Sequence, residues 1–143
     1  MTIQQLSVFL ENMPGKMVEA LETLSAAGID LRALSLADTA DFGILRMIVD
    51  KPQEALDVLS KEGYLVRSSE VIPVAIEDKP GGLAAVLRIL ADAGTDVEYT
   101  YAFVAHSCDR AYVILRVDDD ELAINALKKN GVRLLTEAEI CSM

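Results

Sequence analysis

Apolar and polar residues alternate at the start of the chain: Leu6, Val8 and Leu10 fall on one face, Ser7, Phe9 and Glu11 on the other. That period of two predicts a half-buried strand. The period then lengthens. Met17, Ala20, Leu21 and Leu24 recur at helical spacing and form one apolar stripe. Pro14-Gly15 precedes this stripe, and proline is tolerated at a helix start because its missing N–H has no intrahelical partner there. Asn12 is of a residue type that accepts hydrogen bonds from first-turn amides. Gly28 stands where a left-handed cap would end the helix. Two extended runs follow, Ile29 to Ala37 and Gly43 to Val49, joined by the turn-forming aspartates of ADTAD. A second helix is predicted over Pro52 to Lys61, with Ala55, Leu56 and Leu59 inward and Gly63 at its end. A last strand covers Tyr64 to Arg67.

The same pattern then starts again. Val8, Glu11, Pro14, Gly15, Leu21, Leu24, Ala27, Gly28 and Asp30 recur as Val74, Glu77, Pro80, Gly81, Leu87, Leu90, Ala93, Gly94 and Asp96. Two extra residues enter before Asp109, after which DFGILRMIVD from Asp41 aligns with DRAYVILRVD from Asp109. Extended runs are expected over Val97 to Ala105 and Ala111 to Val117, and Leu83, Val86, Leu87 and Leu90 repeat the helical stripe. Self-similarity through every element marks a duplication. The boundary is expected near Glu70, giving domains over residues 1–70 and 71–143. Each copy reads β-α-β-β-α-β, the split βαβ order of a ferredoxin-like α+β fold, with an antiparallel sheet and two helices on one face. Such a unit leaves one sheet face open, which pairing of copies would cover.

Composition supports that picture. Of 143 residues, 52% are hydrophobic, yet no apolar run approaches the ~18 residues of a membrane span. The net charge of −10 argues against nucleic acid and against anionic membrane surfaces, both of which call for clustered cations. The N-terminus lacks the character of a signal peptide. Cys108 and Cys141 are therefore expected as free thiols in the cytoplasm.

The places with chemical potential are the strand-to-helix junctions, Asn12-Met13-Pro14-Gly15-Lys16-Met17 and Asp78-Lys79-Pro80-Gly81-Gly82-Leu83. First-turn N–H groups lack intrahelical partners and carry partial positive charge, so they suit a carboxylate. Asn12 or Asp78 would receive an ammonium group. A junction of this kind matches a small zwitterion, although the same pattern also serves as a helix-starting turn with no ligand.

ENMPGKM and EDKPGGL, each between a strand and a helix ending near Ala-x-Gly, resemble the signature of ACT domains, and the resemblance spans essentially the whole chain. It implies a non-catalytic, cofactor-free regulatory module that binds an amino acid where two copies meet. The ligand contacts it implies are Asn12, Pro14, Gly15, Lys16, Met17, Ile29, Asp30 and Leu31. Their counterparts are Asp78, Pro80, Gly81, Gly82, Leu83, Thr95, Asp96 and Val97. It also implies a homodimer and, with no catalytic domain attached, a separate metabolic enzyme as partner. The alternative is a ligand-free dimerisation module for such an enzyme. Asn12 and Lys16 become Asp78 and Gly82, so the two sites are expected to be unequal, with the first as the primary one.

Other candidates are weaker. His106-x-Cys108 has too few companions for a metal site and no orienting partner for nucleophilic catalysis. Asp118-Asp119-Asp120-Glu121 reads as a solvated helix start, where acids are favoured. Tyr99, Tyr101 and Phe103 alternate along one strand and are expected to share a face that packs on a helix or on a partner copy.

Overall fold

The computed structural model describes residues 1–104 and 109–143. The chain divides into two compact units, Gln4–Ser69 and Glu70–Met143, the latter together with Met1–Ile3. The first unit is built from β1 (Ile3–Glu11), α1 (Lys16–Ala26), β2 (Leu31–Asp38), β3 (Phe42–Val49), α2 (Pro52–Lys61) and the start of β4 (Leu65–Glu77). The second contains the rest of β4, then α3 (Gly82–Asp92), β5 (Val97–Ala102), β6 (Arg110–Val117), α4 (Asp120–Lys129), β7 (Arg133–Leu134) and α5 (Glu137–Cys141).

In the first unit the strands lie in the order β2-β3-β1-β4. In the second the order is β5-β6-β4, with β7 paired to β4. The β1–β3, β2–β3, β4–β6, β5–β6 and β4–β7 pairs are all antiparallel. Both units are therefore the expected ferredoxin-like frame. The strand period places Leu6, Val8 and Leu10 with Leu45, Met47 and Val49 on one face, and Ala20, Leu24, Ala55 and Leu59 cover it from α1 and α2. The second core repeats this with Ile72, Val74 and Ile76, Val113, Leu115 and Val117, and Val86, Leu90, Ala123 and Leu127. Burying side chains of this size contributes about 1.5–3 kcal/mol each, before the cost of ordering the chain.

Helix ends explain the repeated glycines. Gly28 has φ +71, its N–H donates to the Ser25 carbonyl, and the Ile29 N–H donates to that of Leu24. This is a Schellman cap, and Gly94 builds the same one at the end of α3.

Three features depart from the reading of the sequence. The fourth strand of the second unit is only two residues long and is followed by α5, a short helix that a Thr136–Glu139 capping box opens. The helices α1 and α3 begin after Pro-Gly, not at the proline. A β-bulge between Val97 and Tyr99 turns the rest of β5 over. Val97 packs on the core, whereas Tyr99, Tyr101 and Phe103 lie opposite Arg116, Ile114 and Tyr112, on the face away from the helices.

Thr95 is a local conflict. It occupies the position of Ile29, is 5% exposed, and its hydroxyl has no hydrogen-bond partner among the described residues. A buried orphan hydroxyl costs about 1–3 kcal/mol. Thr95→Val is therefore expected to raise stability by about 1 kcal/mol, read as a higher urea midpoint at unchanged m-value; a lower midpoint would show that the hydroxyl is satisfied.

Candidate functional site

Each unit enters its first helix through the same tight elbow. The Lys16 N–H donates to the Met13 carbonyl at 3.3 Å, and the Gly82 N–H to that of Lys79 at 3.0 Å. Proline presets φ at the second turn position, and glycine at the third has φ +86 in both copies, which is a type II turn. The first intrahelical bonds run from Glu19 to Gly15 and from Ala85 to Gly81. The amides of Met17 and Val18, and of Leu83 and Ala84, are left without a partner among the described residues.

Asn12 is not the cap expected of it. The helix N-caps are Gly15 and Gly81, with no side-chain cap bond, because the two-residue Pro-Gly step carries residues 12 and 78 back from the first turn. The Asn12 amide instead donates to the Asp38 carboxylate at 3.2 Å and to the Thr39 carbonyl at 3.1 Å. Strand register explains this: Glu11 pairs with Phe42, Leu10 with Gly43, and Gly43 also with Asp38, so the β2–β3 hairpin lies beside the first elbow.

A cavity of about 340 Å³ opens between them. Leu10, Glu11, Asn12, Met13, Lys16 and Met17 line the elbow side, and Leu36, Ala37, Asp38 and Gly43 the hairpin side. Its volume is in the range of small-molecule sites. Two carboxylates (Glu11 and Asp38) and one ammonium (Lys16, 3.7 Å from Glu19) belong to the same hollow, and the remaining wall is largely apolar.

The second elbow opens elsewhere. Pro80, Gly81 and Gly82 border a cavity of about 350 Å³ that lies against Ala75 to Glu77 of β4, Ala85 and Ile89 of α3, and Asn130 to Arg133. A Cβ built on Gly82 would stand 2.0 Å from the Glu77 carbonyl oxygen, so the start of α3 is pressed onto the preceding strand. Two cations of its lining are engaged, Lys79 with Glu77 and Arg133 with Glu139, and Arg110 lines it as well. The Lys79 hydrogen bond and charge hold the Glu77 carboxyl below its usual range, and the Thr136 amide, then Arg133, do the same for Glu139. Asp78 borders a separate, shallower hollow with Asp109 and Arg110.

Of the residues singled out in the first copy, Asn12, Lys16 and Met17 converge on the cavity, and Pro14 and Gly15 form the turn that makes it. Ile29, Asp30 and Leu31 lie at the opposite end of the same sheet, where Leu31 pairs with Val49. There Ile29 is buried in the core, the Asp30 amide donates to Asp50 at 2.9 Å, and the Asp30 carboxylate pairs with Arg32. The second copy repeats the division. Pro80, Gly81 and Gly82 line their cavity and Leu83 packs on the core, whereas Thr95 is buried, the Asp96 amide donates to Asp118 at 3.0 Å, and Val97 packs inward. Leu36, Asp38 and Gly43 were missed. The hairpin register was the signal that places them.

Asp119 caps α4 by accepting the Leu122 amide, but Asp120 beside it is half-buried and desolvation raises its carboxyl above the usual range, so this helix start is only partly solvated. Among the described residues no group of His, Cys, Asp and Glu is arranged to hold a metal. No helix of these residues is long and apolar enough to cross a membrane. His106 and Cys108 lie outside the described residues.

A family model described as an ACT domain pair matches residues 1–143. No curated protein matches the chain. Among solved structures, protein BT0572 from Bacteroides thetaiotaomicron is 36% identical, with all of this chain and 98% of that one covered at a TM-score of 0.93. The ligand-free regulatory subunit of aspartate kinase from Thermus thermophilus is 20% identical over 90% of this chain and 92% of that one, at a TM-score of 0.66. The corresponding subunit from Thermus flavus is 20% identical over 88% and 90%, at 0.61. At that identity the likeness to the two Thermus subunits is one of fold.

Proposed function

Because the chain belongs to the ACT domain family as a tandem pair, we propose that it is a non-catalytic regulatory module that binds an α-amino acid at the elbow of its first unit. The observation that carries this reading is the cavity between that elbow and the β2–β3 hairpin, with opposite charges available to it. The ligand carboxylate docks on the open amides of Met17 and Val18, with Lys16 beside them. The ammonium group docks on Asp38, which Asn12 orients. Charge-assisted hydrogen bonds contribute about 1.5–3 kcal/mol each, offset by immobilisation of the ligand. A net of roughly 4–8 kcal/mol corresponds to millimolar to micromolar affinity, the range of metabolite sensing.

Binding regulates only through differential affinity for two arrangements of the protein. The carrier of the effect would be assembly of copies or contact with a separate enzyme; the two Thermus proteins named above are regulatory subunits of aspartate kinase. A cytoplasmic homo-oligomer fits this role.

The intact chain is expected to gain several degrees in melting temperature with at least one of the standard amino acids at millimolar concentration. A flat response across the whole set would sink the proposal. It would favour the other reading, a ligand-free assembly module. Light scattering that shows one oligomeric state, unmoved by any amino acid, would then be its signature.

A further inference from the structure

Resting on that reading, we propose that the first-unit site selects amino acids with an uncharged, apolar side chain, and that Gly43 sets how large that side chain can be. Between its charged poles the cavity presents Leu10, Met17 and Leu36, and the remaining charged residue of its lining, Glu11, is exposed at the end of β1. A charged ligand side chain seated against Leu10, Met17 and Leu36 would lose hydration to apolar walls, which is costly. Two of the chain's exposed large hydrophobic residues, Met13 at 57% and Leu36 at 52%, stand at this cavity. Apolar surface gathered at the mouth of a hollow is the pattern of a site that a ligand completes.

Gly43 is buried in the cavity wall on β3, in ordinary extended backbone. A Cβ there would lie 3.3 Å from the end of the Leu36 side chain and 3.7 Å from the Asn12 side-chain oxygen. Glycine at this position is thus a matter of space: a side chain would push Leu36 and enter the volume between hairpin and elbow. The second unit carries Ala111 at the matching position.

Titration calorimetry on the intact chain with leucine, methionine, glycine, lysine and aspartate tests this. Leucine and methionine are expected to bind at least roughly tenfold more tightly than the other three, as burial of one aliphatic side chain implies. Gly43→Val is expected to abolish leucine and methionine binding and to change glycine binding less than about threefold, the melting temperature reporting that the fold persists. If valine disrupts β3, Gly43→Ala is expected to weaken leucine and methionine binding by at least several-fold. Equal binding of glycine and leucine, preference for lysine or aspartate, or unaltered leucine binding in both variants would overturn the selectivity while leaving an amino-acid site standing. Binding by none of the five, with a stability response to some other amino acid of charged or polar side chain, would overturn it as well. Silence toward every amino acid would remove the underlying site and this inference with it.

Discussion

Gly82→Ala is expected to destabilise the second unit by about 3 kcal/mol, the upper part of the range for forcing an extra carbon into a packed position. The added Cβ would meet a backbone carbonyl oxygen, that of Glu77, at 2.0 Å. No rotamer change relieves such a clash. The start of α3 has to move away from β4 by about an ångström, and Val86 and Leu90, buried on the same helix, move with it. The corresponding residue of the first unit, Lys16, shows that an elbow can accept a side chain when its turn is looser, with a bond of 3.3 Å in place of 3.0 Å. Lys16→Gly is the control: it removes no core contact and is expected to cost only about 1 kcal/mol, the helix penalty of glycine. Urea denaturation of both variants checks the pair, and equal, small losses would mean that the close approach of α3 to Glu77 relaxes freely.

Asp38→Asn is expected to weaken amino-acid binding roughly five- to tenfold with little change in stability. Asp38 is exposed and makes no ion pair among the described residues, so folding draws little on its charge. The ligand ammonium does depend on it: replacing a carboxylate partner by a neutral amide forfeits about 1–1.5 kcal/mol, the difference between a charge-assisted and an ordinary bond, and each 1.4 kcal/mol is tenfold in affinity. Asparagine keeps the shape and retains an acceptor for the Asn12 amide. Calorimetry against the tightest ligand of the wild-type chain measures the effect. Unchanged affinity would place the ammonium pole elsewhere and dissolve the proposed binding mode.

Much of the fold was legible because it is written locally and written twice. The α2 helix matches its predicted span, Pro52 to Lys61, since an apolar stripe, an early proline and a following Gly63 all act over a few residues. The first helix starts later than its pattern suggests because Pro14 and Gly15 serve a turn, and turn and helix compete for the same residues. The face of Tyr99 and Tyr101 depended on a single-residue bulge, which inverts a strand without any strong local signal. At the site, the elbow residues Asn12 and Lys16 could be found because they stand beside Pro-Gly. Asp38 could not, because its meeting with Asn12 depends on how β1, β2 and β3 align.

The carboxylates of Asp50 and Asp118 close the end of each sheet far from the elbow, tying β2 to β3 and β5 to β6 through nearly identical bonds of 2.9 and 3.0 Å. Each copy thus has an anchored pole, built on the same pair of aspartates, and a variable pole where residues 12, 16 and 43 differ from 78, 82 and 111. New specificities can arise at the variable pole without loosening the strands that the other holds. Engineering this chain toward a different metabolite should begin there and leave the two aspartates alone.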